Sequence, residues 1–106
     1  MQTQQTIEPT VIDPEAVAAF YRRRPGTEEL VRQAVGWVRE EFSEIESITL
    51  QADRDPEEDA EWIRITVTTR QKADDLNASY RRYLKRDVAE APRDLWHFVS
   101  LLRYGV

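Results

Sequence analysis

Apolar positions in this chain recur at helical spacing, then at strand spacing, then at helical spacing again. That order predicts an α+β domain. Asp13-Pro14-Glu15 opens the first helix. The Asp13 side chain can accept a backbone N–H as N-cap, and Pro14 fits the first helical position, where its missing N–H costs nothing. Val17, Phe20 and Tyr21 share one face, and Pro25-Gly26 ends the helix. Thr27 reads as the cap of a second helix, with Glu28 and Glu29 placed favourably in its first turn. Leu30, Val31, Ala34, Val35, Val38 and Phe42 form its apolar stripe, with Trp37 at the stripe's edge. So short a link predicts an antiparallel helical hairpin.

From Ser47 the period drops to two. Ile48, Leu50 and Ala52 alternate with Ser47, Thr49 and Gln51, and further on Ile63, Ile65 and Val67 alternate with Trp62, Arg64, Thr66 and Thr68. Two half-buried strands joined by a polar loop predict an antiparallel β-hairpin with one face at least partly wet. A long third helix follows over residues 72–87. Ala73, Leu76, Tyr80, Tyr83 and Leu84 are spaced for one buried face, and Arg81, Arg82, Lys85 and Arg86 are grouped where they would complement the negative end of the helix dipole. Ala91-Pro92 breaks this helix. Residues 95–106 fit either a helix or a strand. A third strand is the expectation, because a lone two-stranded hairpin is marginal and a further partner would complete a small antiparallel sheet. The predicted fold is therefore α+β: a helical hairpin, an antiparallel β-hairpin, a long helix and a C-terminal third strand, with the helices on one face of a small sheet. Residues 1–12, rich in Gln and Thr, read as a disordered tail, and residues 13–106 as a single domain.

At 106 residues one modest core is the expectation, with little room for an enclosed active site as well. The absence of cysteine excludes a disulfide framework and thiolate metal sites, and a reducing cytoplasm fits. No apolar run approaches the roughly 20 residues of a membrane helix, and the first twelve residues lack the basic and apolar parts of a signal peptide.

Charge changes the picture most. Residues 53–61 hold six acids (Asp53, Asp55, Glu57, Glu58, Asp59 and Glu61) and one base, Arg54. Setting those seven aside from the chain's 20 acidic and 15 basic residues leaves 14 of each. The chain is a balanced body carrying a local negative pole between two strands. A local field can select a partner, whereas diffuse charge mainly keeps a protein soluble.

Other chemistry is thin. Asp53, Asp55, Glu57 and Asp59 have the alternate spacing of a calcium loop, but Glu58 stands where glycine is needed and Arg64 where the bidentate glutamate belongs. His97 is the only histidine, so a zinc site would have to be completed by carboxylates. No nucleophile motif and no phosphate-cradling glycine loop is present. The arginines at 22–24 and the basic group on the third helix could touch phosphates, but the net charge of −5 opposes nucleic-acid binding.

Several short motifs stand together. Phe20-Tyr21-Arg22, the step Pro25-Gly26-Thr27-Glu28-Glu29-Leu30, the loop Asp55-Pro56-Glu57 and the strand 63–69 fall in that order. In this the chain resembles, over residues 20–104, an uncharacterised family of small bacterial α+β proteins with a Pro-x-Thr-Glu step and an Asp-Pro-Glu hairpin loop. The resemblance implies an α+β fold with a C-terminal strand, and no activity. Several such proteins look like partners of neighbouring toxin-like genes. Helix three is more basic here than is usual among them.

The function expected is a non-catalytic protein-interaction module, antitoxin-like or an accessory subunit, with no cofactor. Its acidic loop would steer a basic protein, while Trp62 anchors the partner and Arg64 adds a polar contact. The alternatives are a small metal-dependent enzyme using Asp53, Asp55 and Glu57, and a homo-oligomer pairing through the hairpin edge.

Overall fold

A computed structural model describes residues 7–106. Three helices and a four-stranded mixed sheet alternate along the chain: β1 (Thr10–Ile12), α1 (Pro14–Arg23), α2 (Thr27–Glu41), β2 (Ile45–Asp55), β3 (Ala60–Thr69), α3 (Ala73–Glu90) and β4 (Val99–Tyr104), with a 3₁₀ turn, Trp96–Phe98, leading into β4. The strand order is β1-β2-β3-β4. β2 and β3 form the expected antiparallel hairpin, with Leu50 opposite Ile65 and Asp55 opposite Ala60.

The outer strands correct the expectation of an antiparallel sheet. β1 runs parallel to β2 and β4 parallel to β3. Each is separated from its neighbour by helix, and a helical crossover returns the chain in its original direction. Each strand of the hairpin thus has an outer neighbour, β4 along residues 63–68 of β3 and β1 along residues 49–51 of β2. Residues 10–12 also depart from the reading of a tail, since they pair with Thr49, Leu50 and Gln51. Three residues are too few for alternation to declare itself. The segment before them is tied down by Arg39, whose guanidinium donates to the Ile7 carbonyl from Nη2 at 2.8 Å and Nε at 3.1 Å. The rest of the proposed tail, residues 1–6, lies outside the described residues.

The core forms between the helices and one face of the sheet. Ile48 and Leu50 of β2, Ile63, Ile65 and Val67 of β3, and Leu101 of β4 meet Val17 and Phe20 of α1 and the stripe of α2. Trp37, at the edge of that stripe in sequence, is buried because α3 lies beside it. Its ring meets Tyr83 edge-on, with centroids 6.1 Å apart. α3 also turns Ser79 inward, where its hydroxyl accepts from the Gln71 side chain at 3.1 Å, while Ala73 and Leu84 of the predicted face are exposed. The arginines of α3 lie upstream of its final turn. Arg82 and Arg86 instead bind Glu41 and Glu40 of α2, joining the two helices.

Asp13 caps α1 as expected, accepting from the Ala16 N–H at 3.3 Å. The cap of α2 is Gly26 rather than Thr27. Gly26 has φ +93, in the left-handed region open to glycine, and a Cβ there would sit 2.9 Å from the Leu95 side chain. Thr27 becomes the first helical residue and is fully buried. No helix among the described residues is long and apolar enough to cross a membrane.

Candidate functional site

The β2–β3 turn carries the acidic segment, and its conformation is local. The Asp55 carboxylate accepts the Glu57 N–H at 3.0 Å, which closes the turn around Pro56. Asp59 takes a left-handed conformation (φ 53), one that aspartate tolerates better than most residues. Pro56, Glu57, Glu58 and Asp59 are exposed at the tip, with Asp55 half-buried behind them.

Strand register sorts the six acids into two groups. Asp53 and Glu61 lie back along the strands and are paired. Arg64 Nη1 donates to Asp53 Oδ2 at 2.9 Å while its Nη2 donates to Gln51 Oε1 at 2.7 Å. Arg23, at the end of α1, grips Glu61 with both Nε and Nη2, at 3.2 and 2.9 Å, and Arg24 approaches the same carboxylate at 3.8 Å. The Arg23 hydrogen bond outweighs partial desolvation and holds the Glu61 carboxyl below the usual carboxylate range. At the tip Asp59 meets a cation, Arg54 at 3.9 Å, and both side chains are so exposed that the pair contributes little. Asp55, Glu57 and Glu58 have no ion-pair partner among the described residues.

The pole is thus smaller than the sequence suggests. Counting Arg23, Arg24 and Arg64 with Arg54 sets four arginines against six acids, and the local charge falls from −5 to −2. What remains is concentrated at the tip, with the arginines gathered at its base. None of the pairing arginines comes from α3, whose Arg82 and Arg86 are held by α2. The contacts of Arg23 and Arg24 with Glu61 join residues 38 and 37 positions apart and leave no local sequence signal.

Trp62 and Arg64 occupy the sheet face opposite the core. Trp62 lies across from Asp53, and Arg64 lies across from Gln51 on one side and Ser100 on the other. The helices pack on the other face, so Trp62 is half-buried by its sheet neighbours and not covered by a helix among the described residues. Arg64 is fixed by its two acceptors and presents a guanidinium of set orientation.

No three acidic or histidine side chains converge as metal ligands among the described residues. Asp53 is drawn to Arg64 and Asp55 to the turn backbone, so the carboxylates of the metal-dependent alternative point to different partners. His97 is exposed beside Trp96 and Phe98. A cleft of about 310 Å³ between β1, α1 and α2 has an apolar floor that includes Val17, Val35 and Leu50. Two cations on its rim are already engaged, Arg32 by Glu29 and Arg39 by the Ile7 carbonyl.

Within this frame the molecule is a small α+β protein presenting a charged hairpin tip and one uncovered sheet face. Comparison with known proteins gives no match to a family model, to a curated protein or to a solved structure.

Proposed function

We propose that this chain is a non-catalytic protein-interaction module that binds a basic protein partner, as an antitoxin-like or accessory subunit would. The observation that carries the reading is the set of three carboxylates, Asp55, Glu57 and Glu58, held at a hairpin tip with no cation of their own among the described residues. Such a tip attracts positive charge at a distance. Its reach is set by the Debye length, about 8 Å at physiological ionic strength. The uncovered sheet face behind the tip supplies the second stage. Trp62 offers a large ring for burial, and Arg64, its rotamer fixed by Asp53 and Gln51, offers a polar contact that loses little entropy on binding. A protein that itself holds nucleic acid is basic, and is the kind of partner this arrangement suits.

The test uses two baits, the natural chain and a variant with Asp55→Asn, Glu57→Gln, Glu58→Gln and Asp59→Asn. All four side chains lie at or beside the tip, so the variant is expected to keep the natural melting behaviour. At low salt, native-host lysate should yield a basic protein on the natural bait and at least about tenfold less of it on the variant. If both baits return the same proteins in the same amounts, the acidic tip has no part in recognition.

A further inference from the structure

The two edges of the sheet are unlike. On one side β1 exposes three residues, with Pro9 before and Pro14 after, and the parts of β2 it leaves unpaired, residues 45–48 and 52–55, carry Glu46, Asp53, Arg54 and Asp55, charges that discourage another strand. β4 exposes six, Val-Ser-Leu-Leu-Arg-Tyr, with no proline. Its one charge, Arg103, turns back over the Tyr80 ring at 3.6 Å from the centroid, so it does not guard the edge.

Apolar side chains border this open strand on both sides. On the helical side, Tyr83 faces Trp37 and the middle of the molecule, while Tyr80 faces β4. Leu84 and Val88 follow Tyr80 on the same flank, one and two helical turns along, and so lie toward the edge. Val88 is 85 % exposed, and Trp96, at the entry to β4, is 54 % exposed. Together with Asp87, Ala91 and Arg93 they line a groove of about 450 Å³. On the other side of the strand, Leu102 and Tyr104 are also exposed.

We propose that β4 pairs antiparallel with β4 of a second copy of this chain, merging two four-stranded sheets into one of eight strands, with Leu84 of the two α3 flanks nearest the two-fold axis. A two-fold interface must be complementary to itself. Pairing centred on Leu102 sets Leu102 against its own copy, Ser100 against Tyr104 and Leu101 against Arg103, so no like charges face each other. On the helical side Leu84, one turn beyond Tyr80, lies level with the axis, and its exposed side chain gains the partner copy's Leu84 as an apolar neighbour. Pairing of the two β4 edges closes the assembly at two copies and leaves both acidic tips free.

The experiment is sedimentation of the full chain from sub-micromolar to several hundred micromolar concentration. The mass is expected to rise from 12.5 kDa to twice that value, with β4 amides exchanging more slowly as the dimer forms. Leu102→Lys places like charges at the two-fold axis and is expected to stay at 12.5 kDa, as is Leu102→Glu. Mixing the two variants should restore the doubled mass. The proposal is overturned by a natural chain that remains at 12.5 kDa throughout. It is equally overturned by a dimer that survives Leu102→Lys, by a mixture that stays monomeric, or by dimerisation without added protection of β4.

Discussion

Phe20→Ala is expected to lower the unfolding free energy by about 3–5 kcal/mol, enough to leave much of the population unfolded if the domain starts near the low end of the usual 5–15 kcal/mol. Phe20 has no exposed surface and is among the largest fully buried side chains. Its ring meets Phe98 edge-on at 6.1 Å, which links α1 to the turn before β4. The two arginines that follow share this contact. Arg23 lies 5.9 Å from the Phe20 ring centroid and Arg24 lies 4.8 Å from that of Phe98. The same two guanidiniums hold Glu61, so the packing of α1 positions the base of the acidic hairpin. Removing the ring leaves a cavity and loosens both arginines. Urea unfolding followed by circular dichroism measures the loss, and a loss below about 1 kcal/mol would show that α1 does not pack as described.

Alkaline pH is expected to weaken the fold through Tyr83. Its side chain is buried against Trp37 of α2, and desolvation, with added repulsion from Asp87 and Tyr80, raises its pKa well above the ordinary 10.0. In the unfolded chain the phenol ionises near 10. Above that pH the folded state retains a proton that the unfolded state has released, and stability falls as pH rises. The contribution is fully present below about pH 10 and is lost at about 1.4 kcal/mol per pH unit until the folded pKa is reached. Tyr83→Phe keeps the ring against Trp37 and removes the titrating group, so most of the steepness should go. Tyr21, half-buried and shifted the same way chiefly by desolvation, leaves a smaller residue. Urea midpoints at about pH 9 to 11 are the measurement. Equal slopes for the natural chain and Tyr83→Phe would mean that Tyr83 is not buried as described.

Local chemistry made much of this fold legible. The Asp13-Pro14 start, the stripe of α2 and the alternation in β2 and β3 each encode their element within a few residues. β4 followed from a need, since a hairpin alone is marginal, and not from its own pattern, which fits a helix as well. The direction of the outer strands was not legible, because it depends on crossovers that bring residues far apart in sequence together. The same limit applied to the site. The sequence displayed all six acids but not the arginines of α1 that neutralise Glu61, nor the pairing of Asp53 with Arg64 across the hairpin. Strand register, invisible in a charge count, divides the six acids into a paired base and an open tip.

That open tip is the centre of the account, and association kinetics test it most directly. With the captured basic partner, stopped-flow mixing compares the natural chain with the Asp55→Asn, Glu57→Gln, Glu58→Gln, Asp59→Asn variant across a range of salt. The natural chain should associate about tenfold faster or more at low ionic strength, and the two rates should converge as salt rises while dissociation changes little. Equal association rates at low salt would contradict the account.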